Sequence, residues 1–117
     1  MMQKGDLEFG DIVLVKFDPS VGHEFQDKRP AIVVQSNEQL RKSNLATVIP
    51  LTSNTGNSIS DDVVIIANSD NKLRTDSVAK VHHVMSFDYS RFDKRIGVVS
   101  TGVSSLLKDY LKKHFGL

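Results

Sequence analysis

The sequence contains no cysteine, and this absence excludes a disulfide framework, a thiolate nucleophile and any zinc site with cysteine ligands. No apolar run approaches the roughly 18 residues of a membrane-spanning helix. The first six residues, MMQKGD, lack the apolar stretch of a signal peptide. We therefore expect a cytoplasmic protein that has no membrane partner.

A strong charge of either sign is also missing. The chain has 15 basic and 14 acidic residues and a net charge of +1. Domains that bind nucleic acid are often recognised by a large basic excess, which this chain does not have. Composition therefore neither supports nor excludes RNA, and any basic surface must arise from the local placement of a few charges.

The length and the composition of the chain are those of an ordinary globular domain. The chain has 117 residues, of which 39% are hydrophobic and 25% are charged. This length favours a single domain of residues 1–117, large enough to bury a core without a metal or another cofactor. Residues 1–9 contain little periodic pattern, and we expect them to form a loose N-terminal lead-in.

Short runs of β-branched and apolar residues predict six strands. The runs cover residues 11–17, 31–35, 46–51, 62–67, 77–85 and 96–99. Ser36 stands three residues before Gln39, which is the spacing of a capping box, so we expect a short helical turn over residues 38–42.

The C-terminal segment changes to a helical period. Six residues, all but the last of them largely apolar, recur at helical intervals, which places them on one face of a helix that begins after Ser100 or Thr101. They are Val103, Leu106, Leu107, Tyr110, Leu111 and His114. We expect this face to pack into the core, and we predict a mainly β fold with a C-terminal helix: a small half-open β-barrel covered by that helix.

Familiar catalytic motifs are absent from the sequence. It contains no P-loop, no G-x-G-x-x-G, no G-x-S-x-G and no H-E-x-x-H. His82 and His83 are adjacent on a predicted strand, where neighbouring side chains point to opposite faces, so they are poorly placed to chelate one metal. We therefore predict no metal site.

The order of four segments is more specific. A G-D-[IV] opening, a D-P-x-x-G-x-E loop, an R-P-x-[LIV]-V strand and a P-[LC]-T turn follow one another with characteristic spacing; they occupy residues 10–15, 17–24, 28–34 and 48–53. In this order the segments resemble the MazF/PemK toxin family, and the resemblance runs from Gly10 through Leu111.

The resemblance implies a fold, an activity and partners. It implies a homodimer of SH3-like barrels of the MazF/CcdB type. It implies metal-independent cleavage of single-stranded RNA through attack of the 2′-hydroxyl, leaving a 2′,3′-cyclic phosphate and a 5′-hydroxyl. It also implies neutralisation by an acidic cognate antitoxin whose tail binds across the dimer.

The family's catalytic arginine and threonine match Arg29 and Thr52, and a loop glutamate near the site in some members matches Glu24. A guanidinium suits the charge that builds on a phosphate under attack, and a hydroxyl can bind the same phosphate or hold the 2′-hydroxyl in line. The alternatives are a surface ion pair for Arg29, a backbone-capping turn hydroxyl for Thr52 and a solvated loop charge for Glu24.

Two places depart from the family pattern. In the loop before Arg29, Asp27 replaces a common glycine and an aromatic residue, Phe25, is present. We predict that Phe25 stacks on an RNA base; the alternative is that it packs into the barrel edge or the dimer seam. Ser53 and Asn54, next to the catalytic turn, are further predicted substrate contacts.

The second departure is His82-His83, which stands where many members carry an acidic residue and a glutamine. An ordinary imidazole titrates near the pH at which a general base works best. Glu24 is one candidate for the general base and a histidine is the other. His83 takes the glutamine position beside the expected groove, so we favour it over His82, which we predict as a substrate contact. The alternative is an imidazole that contacts substrate or the dimer partner and transfers no proton.

Two other functions remain open at this point. CcdB-type toxins share the fold and poison DNA gyrase through a C-terminal Trp-Gly-Ile, of which Phe115-Gly116-Leu117 is a loose echo. A catalytically weak module that binds RNA or antitoxin without cutting is the other alternative. The recognition sequence in RNA does not follow from these residues, because base readout depends on loop geometry.

Overall fold

The computed structural model describes residues 2–17, 28–57 and 59–117, without the side chain of residue 57. Its strands are β1 (Asp11–Lys16), β2 (Lys28–Val33), β3 (Leu45–Thr52), β4 (Val63–Ile65), β5 (Ser77–Ala79), β6 (Met85–Asp88) and β7 (Phe92–Val98). Its helices are α1 (Asn37–Lys42) and α2 (Thr101–Phe115). Short 3-10 turns occupy Thr55–Asn57, Val81–His83 and Tyr89–Arg91.

The strands form one antiparallel system in the order β4-β5-β3-β2-β1-β7. The long strand β3 is its centre, since it pairs with β2 on one side and with both β5 and β6 on the other. Among the described residues β4 and β7 pair with one neighbour each, so the barrel is open. The predicted mainly β fold with one C-terminal helix is confirmed.

Each face of the sheet carries a buried core cluster. On β1, Val13 belongs to one core cluster and the adjacent Ile12 to the other, as the period of two in a strand requires. Leu40 of α1 covers the first face and Leu107 of α2 covers the second. Residues 2–9, the described part of the lead-in, form no helix or strand, but Leu7 is only 2% exposed and packs in the first cluster.

The predicted strand over residues 77–85 is wrong in its middle. β5 ends at Ala79, a 3-10 turn covers Val81–His83, and β6 begins at Met85. The interruption lies opposite Pro50, whose carbonyl accepts a hydrogen bond from Lys80 N (3.1 Å) but which has no N–H to return. The alternation expected for His82 and His83 is therefore wrong, because neither lies on a strand.

Helix α2 follows its predicted start but packs less than expected. The Ser100 hydroxyl accepts a hydrogen bond from Val103 N, which confirms Ser100 as the N-cap. Leu107 is fully buried, but Leu106 is 38% exposed and His114 is also exposed, so the apolar face is only partly core. Gly116 ends the helix with a left-handed φ of 72°.

Candidate active site

Arg29 and Thr52 lie where β2 and β3 separate. The last pair between these strands is Ala31 with Pro50. The next pair in register would be Pro30 with Leu51, and Pro30 has no N–H to donate, so the ladder ends here. One step further, Arg29 and Thr52 would face each other, but Arg29 pairs with β1 and Thr52 with β5. The divergence leaves an opening between the two residues.

Two grooves meet at this opening. The larger has a volume of about 750 Å³ and runs between β2, the end of β3, the β4–β5 loop and β7. The smaller, of about 300 Å³, runs from the end of β3 to the 3-10 turn after β5. Arg29, Leu51 and Thr52 line both. The structure thus brings the two predicted catalytic residues together at one junction.

Arg29 is exposed at this junction. Its side chain forms no ion pair with any of the described residues, so the alternative of a surface ion pair is not found in that part of the chain. A guanidinium without a local carboxylate keeps its fork of donors available for an incoming anion.

Thr52 is half-buried, and its hydroxyl oxygen accepts a hydrogen bond from Asn54 N at 3.2 Å. The turn-capping contact named as an alternative is therefore present. A hydroxyl has one proton to donate as well as lone pairs that accept, so this contact orients Thr52 and leaves its O–H for a ligand. Ser53 lines the larger groove and Asn54 the smaller.

The smaller groove contains His83 and a cation that sequence reasoning missed, Lys80. Lys80 Nζ is 2.7 Å from Asp62 Oδ2, and the Asp62 side chain is only 1% exposed. Burial tends to raise the pKa of Asp62, but hydrogen bonds from Lys80 and from Ile59 N outweigh it and hold the pKa below its ordinary value. Asp62 therefore stays ionised and fixes the ammonium of Lys80 in the groove wall.

His82 lies elsewhere. Its Nε2 is 3.4 Å from Asp61 Oδ2, and its ring stacks on His114 of α2 with centroids 5.2 Å apart. Asp61 also accepts a hydrogen bond from Lys113 at 3.0 Å, and this bond is the main cause of its lowered pKa. His82 is among the lining residues of neither groove, so the structure does not bring this predicted substrate contact to Arg29.

The remaining predicted residues, Glu24 and Phe25, lie outside the described residues. Within residues 2–17, 28–57 and 59–117, no three histidine, aspartate or glutamate side chains gather as a metal site would require. No helix in the described segments is long and apolar enough to cross a membrane.

The larger groove carries four basic residues that sequence analysis did not select. Its cationic lining residues are Lys28, Arg29, Lys72, Arg74 and Lys94, and its described lining contains no carboxylate. Lys28 and Arg29 are adjacent in the sequence, and Lys72 and Arg74 stand two residues apart. No local pattern indicates that these two pairs and Lys94 share one groove.

Comparison with known proteins places this geometry in a family. Residues 8–115 match the PemK-like, MazF-like toxins of type II toxin–antitoxin systems. The chain is 32% identical over 114 residues to the endoribonuclease MazF9 of Mycobacterium tuberculosis, covering 92% of this chain and 95% of that protein. It is 43% identical over 51 residues to the endoribonuclease PemK of Escherichia coli, a match that spans 44% of this chain and only 38% of PemK.

Solved structures agree on the fold. A MazF structure from Deinococcus radiodurans superposes with a TM-score of 0.77 and 24% identity, over 95% of this chain and 97% of that one. A mycobacterial endoribonuclease in complex with its cognate antitoxin gives a TM-score of 0.72 and 17% identity, over 99% and 97% of the two chains. Because the family match covers nearly the whole chain, the protein belongs to the PemK-like, MazF-like toxins of type II toxin–antitoxin systems.

Proposed function

We propose that this toxin is an endoribonuclease that cleaves single-stranded RNA at the junction of the two grooves. The main observation behind this proposal is that Arg29 and Thr52 line both grooves at the point where β2 and β3 separate. RNA laid through the grooves would pass a guanidinium and a hydroxyl donor at that point. The names of the relatives, which are endoribonucleases, favour the same activity.

In the proposed reaction the 2′-oxygen of one nucleotide attacks the adjacent phosphorus. The P–O5′ bond breaks, the 5′-oxygen leaves with a proton, and the products carry a 2′,3′-cyclic phosphate and a 5′-hydroxyl. Arg29 stabilises the charge that develops on the non-bridging oxygens, because a fixed cationic donor is worth most where new charge appears. Thr52 holds the phosphate or the 2′-hydroxyl in line.

A base must remove the 2′-hydroxyl proton, and a bound metal is not needed for it. His83 lines the smaller groove together with Arg29 and Thr52, which supports it as this base. Glu24 is the other candidate from sequence. Lys80, fixed by Asp62, adds a second positive charge to the same wall.

We also propose a homodimer and an acidic antitoxin as partners. Solved relatives include a mycobacterial endoribonuclease in complex with its cognate antitoxin and a MazE–MazF structure from Deinococcus radiodurans. A cationic groove attracts an acidic protein segment as well as RNA, so an antitoxin that lies across it would exclude the substrate.

The test is cleavage of a mixed RNA pool followed by mapping of the new 5′ ends. We expect 5′-hydroxyl ends at a defined sequence, with undiminished activity in EDTA. Arg29→Ala should lower the single-turnover rate roughly 10²–10³-fold, with an unchanged melting temperature because Arg29 is exposed. Thr52→Ala should lose less.

Near-normal cleavage by a folded Arg29→Ala protein would remove Arg29 from the mechanism. RNA binding without any cleavage would favour the non-cutting module instead. A gyrase supercoiling assay run in parallel tests the remaining alternative. Against that alternative, Gly116 has a structural role as the helix C-cap, where it donates to the carbonyls of Lys112 and Lys113.

A further inference from the structure

The larger groove is far more basic than the chain as a whole. Five of the chain's fifteen lysines and arginines line it, although the net charge of the protein is only +1. Lys28 is partly neutralised by Asp93 at 3.1 Å. Lys72, Arg74 and Lys94 form no ion pair within the described part of the chain and are exposed to solvent. A cleft lined by one sign of charge concentrates ligands of the opposite sign.

Two of these three cations, Lys72 and Arg74, lie on a loop whose conformation is fixed by hydrogen bonds. We call residues 68–76, between β4 and β5, the arch. Asn71, at its centre, is only 2% exposed and donates from its side chain to Ile66 O at 2.9 Å. Its side-chain oxygen accepts from Asn68 N at 3.0 Å and from Leu73 N at 3.1 Å. The buried amide therefore ties both sides of the arch together.

The conformation of the arch also fixes the backbone positions from which its two cationic side chains extend. Lys72 has a φ of 55°, a left-handed conformation that is uncommon for a residue with a side chain. It follows the buried Asn71 directly, and its N–H donates to Asn68 O at 3.0 Å. Arg74 lies two residues further on, and both side chains line the groove.

Strand β7 supports the arch from below and contributes the third cation. Val98 N donates to Asp70 O at 3.1 Å. At Gly97 an added Cβ would stand 2.5 Å from Asp70 O and 2.6 Å from Asn71 O, so only glycine lets the two backbones approach this closely. Lys94, three residues earlier on β7, lines the same groove.

We propose that the arch and β7 form a second phosphate-binding subsite, in which Lys72, Arg74 and Lys94 hold the RNA backbone on one side of the cleaved bond. This inference rests on the proposed ribonuclease function. RNA is favoured over an acidic peptide because the same groove continues to Arg29 and Thr52. One strand can therefore contact the junction and the three cations together, as expected for a basic groove that tracks a nucleic-acid backbone.

The experiment uses RNA with a 2′-deoxy nucleotide at the mapped cut site, which binds but lacks the attacking hydroxyl. Each phosphate contact contributes about 0.7 to the slope of log affinity against log salt for a single strand. Lys72→Gln combined with Arg74→Gln should therefore reduce the slope by about 1.4, so that the loss of affinity grows about twenty-fivefold for each tenfold fall in salt. Lys112→Gln, a charge removed from the end of α2, is the matched control.

Cleavage assays with two substrate lengths locate the effect. For RNA extended by about ten nucleotides beyond the cut, the double variant should raise KM and leave kcat unchanged. For RNA trimmed to the nucleotides that adjoin the cut, both constants should equal those of wild type. Lys72→Arg should retain the wild-type slope, since it keeps the charge.

A slope for the double variant equal to that of Lys112→Gln overturns the subsite. Weaker binding of polyglutamate with unchanged RNA affinity also overturns it and assigns the arch to an acidic protein. If the wild-type protein cleaves neither RNA, the ribonuclease proposal fails, whereas the salt slope, then measured with unmodified RNA, still decides whether the arch binds a phosphate backbone.

Discussion

An arginine at position 29 can stabilise charge, but it is a poor proton acceptor because its guanidinium stays protonated at neutral pH. The proton of the 2′-hydroxyl must therefore pass to another group. Of the adjacent histidines, only His83 shares a groove with Arg29, while His82 contacts Asp61 and His114. The two side chains are assigned to different environments by the 3-10 turn, and this separates their expected roles.

We predict that His83→Gln lowers kcat by roughly 10²–10⁴-fold and flattens the acid limb of the pH–rate profile. Only a neutral imidazole can accept the proton, so in the wild type the rate should fall as the pH drops through the titration of the base. His82→Gln is the matched control and should keep the wild-type profile. An acid limb that persists in His83→Gln would leave this residue a binding role only, with Glu24 as the next base to test.

At the scale of elements, the pair between Lys80 and Asp62 joins the end of β5 to the segment before β4. Asp62 Oδ1 is buried without a hydrogen bond from any described residue, and Oδ2 receives Lys80 Nζ and Ile59 N. The carboxylate is thus held by one oxygen. Its loss should loosen the wall of the smaller groove and the start of β4 together.

We predict that Asp62→Asn destabilises the fold by about 1–3 kcal/mol near neutral pH, because Lys80 loses its buried partner. The pKa of Asp62 is lower in the folded state than its ordinary value of 3.8. Its contribution is therefore complete above that value and is lost as the pH falls through the lower folded pKa. Urea unfolding should show the gap between wild type and variant closing below about pH 3.8.

Asp93→Asn is the control for this prediction, since Asp93 pairs with Lys28 at the surface with 41% of its side chain exposed. Exposed pairs contribute about 0–1 kcal/mol, so its stability should change little. An effect of Asp62→Asn that is no larger than this, or that is constant down to pH 2, would contradict a buried, ionised Asp62.

The contact between β7 and the arch is a second feature of element scale. We predict that Gly97→Ala displaces the arch, because backbone oxygens at 2.5 and 2.6 Å leave no room for a methyl group. The cost should be about 1–3 kcal/mol in unfolding free energy, together with weaker binding of extended RNA. Gly102→Ala is the control, since its Cβ would meet only Ser100 Oγ at 3.9 Å and helix propensity favours alanine. Equal melting temperatures for the two variants would mean that the arch moves away from the added methyl group at little cost in stability.

At the scale of the whole molecule, several large apolar side chains remain on the surface. They are Leu45, Ile59, Val64, Ile66, Met85, Val98, Leu106, Phe115 and Leu117, each at least 36% exposed. Scattered exposed apolar residues are common in monomers, so this set alone does not define an interface. For a member of this family, these residues nevertheless provide enough exposed apolar surface for the proposed homodimer.

We predict that light scattering gives a mass of about twice the 13.0 kDa of one chain at micromolar concentration. The physical reason is burial of part of this apolar surface between two copies, so dissociation on dilution should expose it. Addition of an acidic antitoxin should protect the dimer and abolish cleavage. A monomer that cuts RNA at full rate would show that one chain supplies the complete site.

Much of the molecule follows from local sequence. β-branched runs predict strands and a 3.6-residue period predicts α2, because both depend on neighbouring residues. Ser100 and Gly116 mark its ends for the same reason. Linear motifs also identify the family and single out Arg29 and Thr52. Each of these two residues lies within a short segment whose residue pattern can be recognised without knowledge of the fold.

Only the tertiary structure decides what surrounds that pair. Pro50 of β3 has no N–H to donate, so the hydrogen-bond ladder along β3 is interrupted and the predicted strand of residues 77–85 breaks there. His82 and His83 therefore lie in different environments. The arch reaches the groove because it lies against Gly97, a residue more than twenty positions further along the chain. Cations at positions 29, 72, 74 and 94 have no common local pattern, because it is the folding of distant segments onto one another that makes them a single basic groove.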